Sequence, residues 1–291
     1  MSLIYDVDFN SGTRVLSLLD KAGNVISSCE VPSNEVDDPN KPLMLRAIED
    51  NSSVELRKVG NLSNTYQTST NGTDWTNYRL ESKISLNKGE SVYFRCNNHP
   101  TTQSISNYVE FYMTGKIEAW HNAYSMISSY FSSPEWSAGS YGMYSLFNDC
   151  KSLTKAPLLP STVLANNCYD SMFFSCSSLT QAPELPAKVL ANECYRHMFY
   201  YCYSLTKAPP LPATDLKIYC YSEMFSNCSK LKEVRISATT MKSWSLYNWL
   251  KGVSATGDFY CDPNATIFPQ GISGIPSGWT RHALADYPVT P

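Results

Sequence analysis

A thiol and an imidazole lie three residues apart at Cys194 and His197, a spacing that could serve a nucleophile or a pair of metal ligands. A cysteine nucleophile needs one thiol with a base beside it, whereas seven of the ten cysteines here occupy periodic positions. Zinc needs four ligands that converge tetrahedrally, and periodic thiols would lie in a row instead. The chain also lacks an H-E-x-x-H motif and a phosphate-binding glycine loop. We therefore predict no enzymatic activity, no metal site and no cofactor.

The cysteine period reveals an internal repeat of 26 residues. Three successive units begin at Cys150, Cys176 and Cys202, and 13 of their 26 positions are identical in all three. A fourth, degenerate unit begins at Cys228, and Leu246 takes the place of Cys168 in it. Loss of the pattern at the end of an array is typical of a capping repeat.

Each unit predicts an extended stretch followed by a short helix. Two prolines in Leu153–Pro160 fix φ and exclude a helix interior. In Val163–Phe173 the apolar residues Leu164, Cys168 and Met172 are spaced i, i+4, i+8, which predicts one apolar helix face. The tyrosine column, Tyr169, Tyr195, Tyr221 and Tyr247, is interpreted as an aromatic ladder with solvated hydroxyls, or alternatively as a stacking surface for sugar or peptide.

The unit C-x-S-L-T-x-A-P-x-L-P…L-x-x-x-C-Y-x-x-M-F resembles the BspA-type leucine-rich repeats of surface proteins of gut and oral Bacteroidetes. The resemblance extends to the carboxy-terminal segments at Trp249–Val253, Thr256–Phe259 and Ser273–Trp279. It also covers Tyr66–Tyr78 and Ile84–Arg95 at the front of the chain. It implies a non-enzymatic adhesion or ligand-binding protein.

The front of the chain predicts β-structure, with alternating apolar stretches and hairpin turns such as Asn71-Gly72. A proline-rich, acidic linker, Ser33–Pro42, separates a first hairpin from a sandwich. Nine strands are predicted: Leu3–Phe9, Arg14–Leu19, Asn24–Val31, Leu43–Glu49, Val54–Lys58, Asn64–Thr68, Trp75–Leu80, Lys83–Leu86 and Ser91–Cys96.

We therefore predict an α+β fold, with a β-rich, sandwich-like amino-terminal module followed by a short right-handed leucine-rich-repeat solenoid with caps at both ends. The predicted boundaries are a β-module over 1–107, an amino-terminal cap over 108–149, repeats over 150–253, and a carboxy-terminal cap and tail over 254–291. One hairpin, Ser69–Trp75, has the look of the aspartate-box turns of some carbohydrate-active proteins, although a purely structural turn is the simpler interpretation.

The binding residues are predicted on the extended stretch of each unit. Leu153, Ala156, Leu159 and their equivalents stay apolar and should point inward. The positions between them should then face out as a short strip of hydroxyl, amide and ammonium groups. These predicted binding residues are Thr154, Lys155, Thr180, Gln181, Thr206 and Lys207.

The composition narrows the class of partner. With 23 basic against 26 acidic side chains, the net charge is −3, so no basic field attracts nucleic acid. No run of 18 apolar residues predicts a membrane span, and no export signal is visible. We expect a bacterial cell-surface or secreted adhesion protein that recognises an extracellular protein or glycan. Alternatives are a structural or receptor-binding component of a phage tail or mobile element, located on the virion, and a carbohydrate-active protein.

Overall fold

The computed structural model describes residues 36–97, 103–128 and 137–287, together with the backbone of three strands within residues 1–35. The chain divides into two compact units, Met1–Asp37 and Asp38–Pro291. The division falls inside the predicted linker Ser33–Pro42, of which residues 33–35 lie outside the described residues. The first unit is one antiparallel sheet in the order β1-β2-β3, with β1 Ser2–Val7, β2 Arg14–Leu19 and β3 Val25–Val31.

The second unit opens with two sheets that enclose an apolar core. Its strands are β4 Met44–Ala47, β5 Ser52–Val59, β6 Tyr66–Ser69, β7 Thr76–Tyr78, β8 Ile84–Leu86, β9 Ser91–Cys96, β10 Tyr108–Thr114 and β11 Ile117–Trp120. All nine strands predicted for the front of the chain are confirmed; the predicted ends at Phe9 and Asn24 lie outside the described residues. Val54, Leu56, Phe94 and Phe111 are fully or almost fully buried in this core.

Short strands and turns make up most of the remaining described residues of the second unit. These strands are β12 Ser137–Ala138, β13 Leu153–Lys155, β14 Val163–Leu164, β15 Asp215–Leu216, β16 Glu233–Arg235, β17 Thr240–Met241, β18 Gly257–Cys261 and β19 Trp279–Ala283. The larger sheets have the orders β10-β5-β8, β13-β11-β4-β9-β6-β7 and β16-β18-β19, and the pairs β12-β14 and β15-β17 complete the set. Because β11 pairs with β4 and with β13, one sheet links the front strands to the first repeat.

The predicted fold class is wrong. The described residues contain no α-helix, and their helical segments are two 3₁₀ turns, Ala123–Met126 and Leu284–Asp286. In the described part of the chain, the remaining regular structure is β-strand in six separate sheets, none of them closed. The prediction was an α+β chain that contains a right-handed leucine-rich-repeat solenoid between two caps. The observed architecture is instead built from β-strands and turns. The predicted domain boundaries within 38–291 stay a prediction.

The physical reason lies in the stretch Val163–Phe173, which was predicted as a helix. Asn167, Ser171 and Ser175 have φ between 57° and 59°, so a left-handed residue occurs at every fourth position. A left-handed residue cannot continue a right-handed helix. After the short strand β14, the chain from residue 166 onwards is therefore a run of tight turns, whose four-residue period returns Cys168 and Met172 to the buried side. This spacing is the same as the one that predicted a helix face.

The backbone donors of these turns alternate between two kinds of partner. The N–H of Met172 donates to the carbonyl of Tyr169 within its own turn, at 3.2 Å. The next N–H, of Phe173, donates to the carbonyl of Met198 in the following repeat, at 2.9 Å. Backbone groups are thus satisfied without helix or regular ladder, and successive repeats are held in register.

Equivalent side chains of neighbouring repeats contact one another. The rings of Phe173 and Phe199 are stacked with centroids 5.6 Å apart. Tyr169, Tyr195 and Tyr221 form a second stack with spacings of 5.6 and 5.9 Å. These tyrosines are buried, and the hydroxyl oxygens of Tyr169 and Tyr221 have no solvent access. The predicted aromatic ladder is confirmed for Tyr169, Tyr195 and Tyr221, whereas the prediction of solvated hydroxyls and the alternative of a ligand-stacking surface are wrong for these buried rings.

The fourth repeat is shifted by one residue from its predicted alignment. Tyr221 N–H donates to Ser245 O, whereas the equivalent Tyr195 N–H donates to Cys220 O. Ser245, rather than Leu246, therefore occupies the cysteine position. Trp249 occupies the methionine position and is fully buried.

Candidate binding face

The strip predicted to bind a partner begins at a cation–aromatic cluster. Trp120 lies on β11, between β4 and β13. Lys155 Nζ lies 3.6 Å from the centroid of its ring, and the Arg46 guanidinium lies 5.0 Å from it. The indole N–H of Trp120 donates to Glu118 at 2.9 Å. Lys155 also donates to the carbonyl of Ala119 at 3.4 Å. The ammonium of Lys155 is thus held against the sheet, where cation–π contacts contribute about 0.5–2 kcal/mol each.

Thr154 is likewise anchored. Its hydroxyl donates to the carbonyl of Ile117 at 3.0 Å, across the β11–β13 pair. Both predicted residues of the first repeat are half-buried. They organise the start of the strip rather than standing free in solvent.

The middle of the strip is exposed. Thr180, Gln181 and Thr206 are solvent-accessible, and within the described structure their side chains form no hydrogen bond or ion pair. The equivalent leucines of the same stretches, Leu179 and Leu205, are fully buried, as predicted from the apolar columns. Three polar side chains are therefore available here for a partner.

The far end of the strip is a second organised cluster. Lys207 forms an ion pair with Glu233 at 3.1 Å, and the Tyr287 hydroxyl donates to the same carboxylate at 2.8 Å. The hydrogen bond from Lys207 to Glu233 and the charge of that carboxylate raise the pKa of the lysine. Arg235 lies over the ring of Tyr287, 4.7 Å from its centroid.

This cluster continues onto the last sheet. The imidazole of His282 on β19 lies 2.8 Å from Asp258 on β18 and is stacked on Tyr260 at 4.8 Å. The strand register pairs Glu233 with Asp258 and Tyr260 with His282, so alternate positions share one face. We call the surface formed by Trp120 and its partners, the exposed strip and these sheet residues the candidate binding face.

The sequence predicted Lys155 and Lys207 as binding residues, but not the aromatic and charged groups that contact them at the two ends of the strip. Trp120, Arg46 and Tyr287 lie outside the repeats, so no period marks them. The available signal for these clusters was the presence of charged residues at one equivalent position of the repeats, occupied by Lys155, Lys207 and Glu233.

The Cys194–His197 pair is not assembled as a nucleophile. Cys194 is fully buried, and burial raises the pKa of its thiol well above the usual range. His197 instead lies between two carboxylates of neighbouring repeats, 2.9 Å from Glu223 and 3.6 Å from Asp170. Throughout the described ranges, no group of three or more His, Cys, Asp or Glu residues could hold a metal ion.

The Ser69–Trp75 hairpin is braced internally. The Asn71 side-chain oxygen accepts from the N–H groups of Thr73 and Asp74, both at 2.9 Å, and its amide donates to Asp74 at 2.7 Å. The ring of Trp75 carries the Arg95 guanidinium at 4.1 Å. These contacts agree with a structural turn.

No family model, curated protein or solved structure matches the chain. None of the helical segments in the described part of the chain has the length and hydrophobicity for a membrane span.

Proposed function

We propose that the chain is a non-enzymatic binding protein of a bacterial surface, and that its candidate binding face recognises a segment of an extracellular protein. The observation that carries the proposal is the exposed row Thr180, Gln181 and Thr206 between two organised cation–aromatic clusters. The surface location rests on the BspA-like resemblance of the repeats.

The composition of the face supports a protein partner. Trp, Tyr and Arg residues, which are enriched at protein interfaces, are held here by neighbouring charges. Because both signs of charge are present, the face suits a partner with mixed charge. The stacked rings of Phe199 and Phe225 in adjacent repeats are 5.5 Å apart, so a strip that runs across three repeats is short. A single strip of this length gives modest affinity, which many copies on one cell would raise through avidity.

The buried thiols of the repeats are unsuited to act as nucleophiles. Burial raises the pKa of Cys176, Cys194 and Cys202 well above the usual range, so these side chains are neutral thiols at physiological pH.

The test is adhesion of the purified protein to plates coated with collagen, laminin or mucin, detected by antibody. The variant Thr180→Ala/Gln181→Ala/Thr206→Ala removes the free polar groups without disturbing buried contacts. We expect its melting temperature to stay within about 1 °C of wild type. Its affinity for the coat protein that wild type binds should fall by about tenfold, or 1.4 kcal/mol.

The chain offers a matched control in the same repeats. Thr162, Lys188 and Thr214 are another exposed column with nearly the same residue types. The control Thr162→Ala/Lys188→Ala/Thr214→Ala should bind like wild type. Equal retention of the two triple variants would contradict the assignment of binding to this face.

A further inference from the structure

A cleft opens between the two front sheets, separate from the candidate binding face. Its walls come from the β6–β7 hairpin and the start of β9 on one side, and from β8 on the other. It encloses about 750 Å³ and is lined by Thr68, Ser69, Thr70, Asp74, Thr76, Ile84, Ser85, Leu86, Glu90, Ser91 and Val92. This volume lies within the range of roughly 300–1,000 Å³ that small-molecule sites occupy.

The inner face of the hairpin changes character towards this cleft. Tyr66 is buried beside Cys96, and Tyr78 packs edge-to-face on Phe94 with ring centroids 5.4 Å apart. Two residues further towards the hairpin tip, the same face carries Thr68 and Thr76, which are directly paired across the strands. Hydroxyls thus replace aromatic rings where the two sheets part.

The floor of the cleft remains apolar. Leu86 and Val92 are buried, and Ile84, which pairs with the core residue Val54, is half-buried. A ligand in this cleft would contact hydrocarbon on one side and hydroxyl groups on the other. A sugar ring has this distribution, with C–H groups on its faces and hydroxyls around its edge.

Several polar groups at the cleft have unused hydrogen-bonding capacity. Within the described structure the hydroxyls of Thr68, Thr70 and Ser85 form no hydrogen bond. At the mouth, Asp74 uses one carboxylate oxygen to accept from Asn71, and Glu90 uses one to accept from the N–H of Asn87, both at 2.7 Å. The second oxygen of each carboxylate can accept from a ligand hydroxyl.

The charge of the cleft selects among saccharides. Asp74 and Glu90 are its charged residues, and no Lys or Arg is among the residues that line it. An anionic sugar would be repelled, because no cation compensates its charge. We propose that this cleft binds one or two residues of a neutral saccharide, with the threonine hydroxyls and the two carboxylates as its polar contacts.

The experiment is calorimetric titration of the full chain with neutral and acidic oligosaccharides. The neutral probes are cellotriose, maltotriose, mannotriose, galactobiose and N-acetylchitotriose, and the acidic probes are trigalacturonate and sialyllactose. We expect at least one neutral probe to bind with a Kd of about 0.1–1 mM, a range typical of small polar ligands in open sites. The acidic probes should not bind.

Two variants locate the binding. Thr68→Val/Thr76→Val removes two hydroxyls at constant side-chain volume and should weaken binding at least about fivefold. Thr70→Trp places an indole in the mouth and should abolish it. Thr73→Trp is the matched control, because Thr73 is an exposed residue of the same hairpin that does not line the cleft.

The proposal is overturned if no neutral probe binds with a Kd below about 10 mM, the value at which the binding free energy is roughly 3 kcal/mol. It is also overturned if Thr70→Trp binds as well as Thr73→Trp, or if the acidic probes bind equally. If no neutral saccharide binds, but tetralysine binds saturably and Glu90→Gln abolishes that binding, the occupant of the cleft is a cationic peptide instead. Because the two sites share no residue, the adhesion assay with the candidate binding face remains independent of all these outcomes.

Discussion

The thiol of Cys176 donates a hydrogen bond to the carbonyl oxygen of Phe147, with 3.1 Å between the sulfur and the oxygen. The same oxygen accepts the N–H of Cys150 within its own turn, at 3.2 Å. The arrangement recurs one repeat later, where Cys202 donates to Phe173 at 3.2 Å. The repeat position of Cys176 and Cys202 therefore requires a small side chain that tolerates burial and carries a hydrogen-bond donor, and cysteine meets all three conditions.

Replacement of Cys202 tests this explanation. Cys202→Ala should lower the free energy of unfolding by about 1–2 kcal/mol, because the Phe173 carbonyl loses a partner and a small cavity remains. Cys202→Val should cost more than Cys202→Ala, because its extra methyl group has no room in the tightly packed column. Urea denaturation of both variants measures the order, and a more stable Val variant would contradict it.

Burial predicts that these thiols react slowly. It raises the pKa of Cys168 and of Cys220 to about 12. Native protein at pH 8 should show little reaction with a disulfide reagent over minutes, whereas the denatured protein should react at all ten cysteines. The seven repeat cysteines are free and buried, as the sequence predicted. A fast phase of several native thiols would contradict this packing.

The imidazole of His197 predicts that the stability of the protein depends on pH. Burial alone would lower the pKa of its imidazole, but hydrogen bonds to Asp170 and Glu223 outweigh that effect and raise the pKa above the ordinary 6.5. A raised pKa in the folded state stabilises it fully below about pH 6.5, and this stabilisation is lost as pH rises through the folded pKa. Wild type should therefore lose a few tenths to about 1 kcal/mol, relative to His197→Gln, between pH 6 and pH 8.5.

Urea titrations at pH 6, 7 and 8.5 measure this difference. Glu223→Gln removes the acidic partner at 2.9 Å and keeps the imidazole, so it should reduce the pH dependence without abolishing it. A His197→Gln variant with the same pH profile as wild type would exclude the histidine as the source.

The left-handed positions are sites for stabilisation by glycine. Ser175 has φ of 59°, and the equivalent position of the last repeat is already a glycine, Gly252, with φ of 71°. Ser175→Gly should raise the free energy of unfolding by up to about 1 kcal/mol, because glycine adopts this conformation without a Cβ clash. Ser177 lies two residues further along and is not left-handed. Ser177→Gly should therefore destabilise, and thermal melts compare the two variants directly.

The repeat period alone shows which residues occupy equivalent positions, and the stacked rings of Phe173 and Phe199 are one such pair in contact. It could not distinguish a helix from a run of turns, because both bury side chains four residues apart, as they do for Cys168 and Met172. The polar, left-handed-tolerant residues Asn167, Ser171 and Ser175 were the available signal. In the next repeat the left-handed positions are occupied by Glu193, His197 and Tyr201, so the residue types there do not indicate this backbone conformation.

The sites required information that no local pattern carries. Trp120 meets Arg46 and Lys155 only because β4, β11 and β13 are neighbours in one sheet. Thr68 and Thr76 face the cleft only because of the register of their hairpin. Strand order and register are long-range properties, set by burial of one face across the whole sheet.

In their turn stretches, successive repeats present equivalent carbonyl acceptors to the repeat before and equivalent N–H donors to the repeat after, as the N–H groups of Tyr169 and Tyr195 show. A duplicated or deleted copy of 26 residues would therefore find complementary backbone groups for its turn stretch on both sides. Gene duplication can lengthen such a chain in steps of about 5.5 Å. The reach of its exposed strip is thus a property that evolution can change by recombination alone, leaving each buried contact as it is.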